Sequence, residues 1–502
     1  RNFESVIREL ARRGHQVHVA VEKDDRDLAA REIVHGLARE CANVTVGVLP
    51  GREDDHWRRL AKSIRLGFDY LRYLQPEYAE MPGLRMRSQE RVPVGLLRLL
   101  AQPGMMSAPG RALVRDALAG LERALPPSPA IDACLQAARP DVMLITPLIG
   151  VIASSQFDYV TSARRLGIPV GFCVCSWDNL SSKALIREVP DAVFVWNDTQ
   201  RDEAVALHRV PPSRVVVSGA QCYDQWFGKA PSRSREDFCA FVGLPPDRPY
   251  VLYVCSTMVW HSPPEADFVV KWIRHLRASS DPRLREVGLL VRPHPTRLAE
   301  WEHVDVRQFE GVGFHVGNTL DAAGKADYFD SLYYAEAVVG INTSAFIEAG
   351  IIGRPVYAIL TPEFSGTQEG TIHFRYLTQV GGGVAMAGRG LEEHAAQLSD
   401  ALAGRSGFEE RRRRFLQAFV RPQGLDVPAT PAFADAVEAL GRRGPAPVPA
   451  SSRPSFAARR ALAWLADYTS RKPGKEWLVT LREMEERRSR AADGSTAPGL
   501  TA

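Results

Sequence analysis

Short, wholly apolar runs alternate with helix-length amphipathic segments along most of this chain, and few architectures satisfy that pattern. In VGLLVRPHP (287–295), EAVVGIN (336–342) and RPVYAI (354–359) the apolar residues are consecutive, so both faces of each strand need cover. Helices crossing between parallel strands supply it. The alternation comes in two series. The first holds HQVHVAVE after the helix 3–13, NVTVGVL (43–49), PDVMLITP (140–147), GIPVGFCVCSW (167–177), AVFVWN (192–197) and RVVVSG (214–219). The second starts at RPYVLYVCST (248–257) and adds VGFHVG (312–317) to the three runs above.

Two such series in 502 residues predict two Rossmann-like doubly wound α/β domains, 1–245 and 246–440. Residues 57–126 read as a helical insertion in the first domain. GRRGPAPVPASSRPS (441–455) reads as a linker, 456–502 as a helical extension, and the last dozen residues as disordered. A doubly wound domain normally opens on a central strand, whereas this chain opens on the helix that follows one. The expectation is that the first strand is missing by truncation.

A formal charge of +4 and the lack of a basic-aromatic repeat argue against a nucleic-acid partner. The seven cysteines are odd in number and mostly embedded in apolar runs, as core thiols are. No apolar run approaches the ~20 residues of a membrane span, and no signal peptide opens the chain. The expected location is the cytoplasm, with the inner face of the membrane as an extension of it. WRRLAKSIRLGFDYLRYL (57–74) reads first as a domain helix burying its apolar face, with contact to an anionic membrane as the alternative.

The chemistry concentrates in GINTSAFIEAGIIGRPVYAI (340–359). A strand feeds a helix that begins near Thr343, where unpaired N–H groups and the positive end of the dipole suit a phosphate. Thr343 and Ser344 add hydroxyls, Glu348 lies about one turn on with a carboxylate for ribose hydroxyls, and Gly353 permits the turn into the next strand. In VRPHP (291–295), Arg292 and His294 stand at a strand's carboxyl end, where open α/β sheets bind ligands. Gln368 and Glu369 in TPEFSGTQEGTIHF (361–374) suit sugar hydroxyls, and His373 reads as structural. In the first domain, Ser155, Gln156 and Asp158 follow one strand and Trp177, Asp178 and Asn179 the next. Asp158 is the expected general base and Asp178 its reserve, each weighed against a helix-start role. No cluster has metal-ligand spacing, so neither a metal nor a cofactor is expected.

The pattern E-A-x-x-x-G-x-P-V from Glu348 to Val356 resembles the donor-site signature of GT-B glycosyltransferases and the related nucleotide-sugar 2-epimerases. VVVSGAQCYDQW (215–226) is similar to the V-x-G-N-P-x-x-D step that closes the epimerase N-terminal domain, with Ala220 and Gln221 in place of Asn-Pro. VRPHP is similar to the His-Pro motif of some capsule-sugar transferases, and glycerophosphotransferases acting on CDP-glycerol belong to the same set of resemblances. The resemblance implies a GT-B fold, with the two domains facing a cleft. It also implies a donor site in which the helix start at Thr343 and Ser344 meets the diphosphate and Glu348 the ribose, with Asn342 and Arg292 among the donor-binding residues.

Three functions are expected in order. The first is a metal-independent glycosyltransferase moving a sugar or related unit from a nucleotide donor to a surface polysaccharide or glycolipid. The second is a nonhydrolysing nucleotide-sugar 2-epimerase, and the third a noncatalytic sugar-binding or scaffold protein. The insertion at 57–126 favours transfer, since an epimerase has no acceptor to accommodate.

Overall fold

The computed structural model describes residues 2–22, 28–52, 55–149, 156–257, 262–317, 321–445, 460, 462–464, 466–468 and 478–492. The strands of the first half are β1 (Val17–Glu22), β2 (Val44–Leu49), β3 (Met143–Ile145), β4 (Val170–Cys173), β5 (Ala192–Val195) and β6 (Val215–Val217). Those of the second are β7 (Tyr250–Val254), β8 (Gly288–Arg292), β9 (Val312–Phe314), β10 (Ala337–Gly340), β11 (Val356–Leu360) and β12 (Ala385–Arg389).

The second half forms one parallel sheet in the order β9-β8-β7-β10-β11-β12. This is the doubly wound order, with its topological switch between β7 and β10. The apolar runs are explained by burial on both faces. Val251, Tyr253, Leu289, Val291, Val339 and Tyr357 share a core with Trp272, Ile273 and Leu398. Their neighbours Leu252, Val254, Leu290, Val338 and Val356 pack with Phe346, Phe415 and Phe419 on the other side. Full burial of each such side chain contributes about 1.5–3 kcal/mol.

The first half is also built of parallel strands, in two pieces: a four-stranded sheet β3-β4-β5-β6 and a pair β1-β2. Among the described residues no strand joins them. Val17 of β1 and Leu144 of β3 instead share an apolar cluster with Val6, Leu10, Phe433 and Leu440. The two halves face each other across a cleft.

One expectation needs correction, and another is decided between two readings. Helix Ala429–Arg443, assigned in part to the second domain, packs on the first through Phe433, Ala434, Val437 and Leu440. Asp224 fixes the crossing, accepting from the N–H groups of Ala429 (3.1 Å) and Thr430 (2.7 Å) and from Arg421 (2.9 Å). The segment 57–74 is a domain helix with its apolar face buried in the protein, the first of the two readings given for it. Within helix Arg58–Arg72, Leu60 and every residue from Ile64 to Arg72 are buried. Arg72 donates to the carbonyls of Lys183 (2.5 Å) and Ala184 (2.9 Å), so part of the expected basic face is internal.

The insertion is helical as expected, with helices Pro82–Gln89, Val94–Leu100 and Ala108–Ala124 following the first. The C-terminal extension folds back on it. Leu462 and Ala466 join Trp57, Leu60 and Ile64, and the N–H of Val94 donates to the carbonyl of Val479 at 2.9 Å. Residues 446–455 of the expected linker and 493–502 of the expected disordered end lie outside the described residues. Among the described residues no helix is long and apolar enough to cross a membrane.

Helix Ile372–Gln379 ties the halves together, with the Tyr376 hydroxyl donating to Glu203 Oε1 at 2.5 Å. Burial pushes the Glu203 carboxyl up to about 8, against the pull of that hydroxyl. In the unfolded chain the value is about 4.3. Between the two, the folded protein holds a proton that the unfolded chain has lost, so this contribution to stability falls as pH rises through that window. Glu203→Gln, which still accepts from Tyr376, is expected to raise the melting temperature over wild type at about pH 8.5 far more than at about pH 5.5. Equal shifts at both values would contradict the assignment.

Candidate functional site

A cavity of about 950 Å³ opens between the halves, lined by the carboxyl ends of strands from both sheets. From the second half come Val254 at the end of β7, Arg292 at the end of β8 with Pro293 to Pro295 after it, and Asn342 to Ser344 after β10. The switch between β7 and β10 therefore places the three loops around one point.

Helix Ala345–Ile352 begins there. The N–H groups of Thr343 and Ser344 have no protein acceptor among the described residues, while Thr343 Oγ1 takes the N–H of Ala345 at 3.3 Å. Asn342 donates to the carbonyl of Thr367 at 2.5 Å, leaving its Oδ1 buried without a hydrogen-bond partner among the described residues. Glu348 accepts from the Tyr328 hydroxyl at 2.5 Å. Gly353 ends the helix in the left-handed region, φ 94°, where a Cβ would be strained.

Arg292 is 4% exposed, lies 5.4 Å from the centroid of the Tyr328 ring, and has no carboxylate within ion-pairing distance among the described residues. Its closest acceptor is the carbonyl of Asp327, at 3.4 Å. Burial draws its pKa down, yet a guanidinium stays protonated. His294 Nδ1 accepts from the N–H of Thr296 at 3.2 Å, so in the neutral ring Nε2 carries the hydrogen and is a donor. Burial lowers the His294 pKa, with Arg297 adding to the effect.

Lys229 and Lys325 also line the cavity, and neither has a carboxylate partner within 4 Å among the described residues. Sequence reasoning missed both, and Tyr328 with them. Lys325 and Tyr328 are three apart on helix Ala322–Tyr333, which puts them on one face, but only the fold shows which face meets the cleft. With Arg87 and Lys183 the cavity has five cationic side chains and three carboxylates, Glu4, Asp178 and Glu348. Among the described residues its lining therefore carries an excess of positive charge.

The first half contributes Trp177 and Asp178 after β4. Asp178 accepts from Ser176 Oγ (2.7 Å) and Ser182 Oγ (2.9 Å) and pairs with Lys183 (2.9 Å). Burial works to raise its pKa, but Lys183, His373 and the Ser176 hydroxyl outweigh it and hold the carboxyl below the usual range. His373 crosses from the other half to meet Trp177 edge-on at 4.9 Å, and burial takes its pKa down to about 4. Asn179 is a local brace, its Oδ1 accepting from the N–H of Cys175 at 3.1 Å.

Other expected site residues lie elsewhere. Asp158 is outside the cavity, in a buried ion cluster: Arg65 holds both its oxygens at 2.7 and 3.0 Å, and Arg52 adds a contact at 3.1 Å. A carboxylate saturated by two guanidiniums under the insertion has no acceptor to deprotonate. Gln368 is a brace, donating to the carbonyls of Ile341 (3.0 Å) and Ile359 (2.8 Å). Glu369 is exposed and paired with Arg389 at 2.9 Å, away from the cavity lining. Gln156 begins helix Gln156–Leu166, and Ser155 lies outside the described residues. Among the described residues no three His, Cys, Asp or Glu side chains are grouped to hold a metal ion.

No protein-family model matches the chain, and no curated protein matches it. Among solved structures it is similar to the wall teichoic acid polymerase TagF, at 11% identity and a TM-score of 0.34, over 50% of this chain. The chain spans 58% of that polymerase. It is also similar to the UDP-GlcNAc 2-epimerase from Neisseria meningitidis bound to UDP-GlcNAc, at 11% identity and TM-score 0.44, covering 84% of this chain and 99% of that one. A third is MnaA from S. aureus with UDP, at 11% identity and TM-score 0.40, covering 72% of this chain and 94% of that one. These likenesses are too distant to bear on activity.

A Cβ on Gly317 would overlap the Arg292 guanidinium. Gly317→Ala should therefore displace the arginine without removing a charge, weakening the binding of inorganic pyrophosphate about tenfold or more, as for a lost charged hydrogen bond. Unchanged affinity in calorimetry would show that Arg292 does not meet the anion.

Proposed function

We propose that this protein is a glycosyltransferase, passing a sugar or related unit from a nucleotide-activated donor to a glycan or glycolipid acceptor. The observation that carries the reading is the cleft's charge. Arg292, Lys229 and Lys325, without carboxylate partners among the described residues, surround a helix start whose N–H groups are open, with Glu348 about one turn on. A diphosphate supplies the missing negative charge, and ribose hydroxyls donate to Glu348.

In this account the acceptor hydroxyl attacks the anomeric carbon as the bond from that carbon to the diphosphate oxygen breaks. The electron pair goes to the diphosphate, where Arg292, the two lysines and the helix start stabilise it. The His294 Nε2–H donates to a phosphate oxygen. The hydroxyl proton goes to Asp178, the carboxylate that the first half presents beside Trp177. Its low pKa keeps it ionised at neutral pH and makes it a weak base, so it takes the proton only as the hydroxyl bonds to the anomeric carbon and becomes strongly acidic. Leu84 and Arg87 of the insertion extend the cavity past the donor loops, giving the acceptor its place.

With a nucleotide sugar that binds, Glu348→Ala is expected to weaken affinity by about 1.5–3 kcal/mol. Asp178→Asn should keep donor affinity while transfer falls about 10²–10⁴-fold. The wild-type protein given donor alone should leave the sugar C2 hydrogen unexchanged in deuterated water. Exchange at C2 would make the protein an epimerase, and donor binding with neither exchange nor transfer in an acceptor screen would make it a binding protein.

A further inference from the structure

An aspartate beside the cleft's buried cation is turned away from it. Asp327, one residue before Tyr328 on helix Ala322–Tyr333, meets Arg292 through its backbone: Arg292 Nη1 donates to the Asp327 carbonyl at 3.4 Å, while the carboxylate pairs with Arg233. Asp327 is 8% exposed, and its charge reaches Arg292 through space. Burial draws the arginine's pKa down, and Tyr328 and Asp327 pull the other way. The carboxylate is therefore near enough to be a partner, and a buried guanidinium short of a counter-ion attracts one strongly.

What holds the carboxylate off is the placement of Arg233. Ser232 N–H and Oγ donate to Asp330 Oδ1 (2.8 Å) and Oδ2 (2.6 Å), and the Tyr334 hydroxyl donates to the Arg233 carbonyl at 2.5 Å. Together they fix this segment along helix Ala322–Tyr333. The Arg233 guanidinium lies 4.5 Å from the centroid of the Phe241 ring and donates to Asp327 Oδ1. Its side chain is 34% exposed, and an ion pair so open to water contributes little by itself. The effect falls on the third charge. His315 Nε2 lies 3.9 Å from Asp327 Oδ2, but burial, with Arg292 and Arg233 adding to it against the pull of Asp327, lowers the His315 pKa. The ring is neutral at pH 7 and leaves Asp327 to Arg233.

We propose that Arg233 is a positioning residue of the anion site: by engaging Asp327 it keeps that carboxylate off Arg292, so that the guanidinium meets the diphosphate. Without Arg233, a buried aspartate and a buried arginine each lack a counter-ion and stand a side-chain rotation apart. They pair, and an incoming anion has to break that pair. The inference rests on the reading of Arg292 as a diphosphate ligand, and adds the residue that decides how much of its charge the ligand meets.

Calorimetry of the full chain with inorganic pyrophosphate tests it. Arg233→Met keeps the stem over Phe241 and deletes the charge, and affinity should fall about tenfold. Asp327→Asn alone should bind at least as tightly as wild type, a result that stands even if Arg233→Met fails to fold. The two substitutions together should return affinity to within about twofold of wild type. The ratio of wild type to Arg233→Met should persist at about 0.3 M salt, because a buried pair is little screened. An unchanged Arg233→Met, a weakened Asp327→Asn, a double variant that stays weak, or a ratio that collapses in salt and so marks only the lost charge acting at a distance, would overturn the proposal and leave the role of Arg292 intact. Arg292→Ala tests that role separately: binding that survives it, or a wild type that binds no pyrophosphate, would remove the reading and this inference together.

Discussion

A guanidinium taken out of water without a partner carboxylate costs several kcal/mol, and among the described residues Arg292 has none within ion-pairing distance. Much of the architecture can be understood as holding it there. The order β9-β8-β7-β10-β11-β12 puts the end of β8 beside the switch point, where the β10 loop opens onto helix Ala345–Ile352. Tyr328 lies against the guanidinium and sends its hydroxyl to Glu348, so one ring joins the cation to the carboxylate. Gly317 leaves the room that the arginine fills. The fold bears the cost of an uncompensated charge where an anion would relieve it.

The cleft is shared between halves that packing and polar contacts tie together. His373 and Tyr376, from one helix of the second half, meet Trp177 and Glu203 of the first. Helix Ala429–Arg443 returns to the first half, fixed by Asp224. These contacts set the distance between the cationic wall and Asp178. Small changes at the junction therefore reach both sides of the site.

The strands were legible because a strand buried on both faces is apolar throughout, and β7, β8 and β10 are wholly buried. Asn342, Thr343, Ser344, Glu348, Arg292, His294 and Asp178 were legible as cleft residues because strand ends in such sheets converge on the ligand. Asp158 follows a strand in the same way, yet its partners Arg52 and Arg65 come from about a hundred residues earlier, and local spacing carries no sign of them. Gln368 turned inward to brace two strand ends, where its residue type suggested sugar binding. Lys229 and Lys325 sit on stretches whose own spacing carries no sign of the cleft. The return of helix Ala429–Arg443 was hidden because periodicity shows which face is buried but not against what.

Under the proposed function the cleft recognises a nucleoside through its diphosphate. A calorimetric ladder of nucleoside, nucleoside monophosphate and nucleoside diphosphate tests it most directly, run at low and at moderate salt. Affinity should rise steeply with the second phosphate, and that rise should shrink as salt screens the exposed lysines. Equal affinity along the ladder, or a gain at the diphosphate that Arg292→Ala leaves intact, would contradict the account.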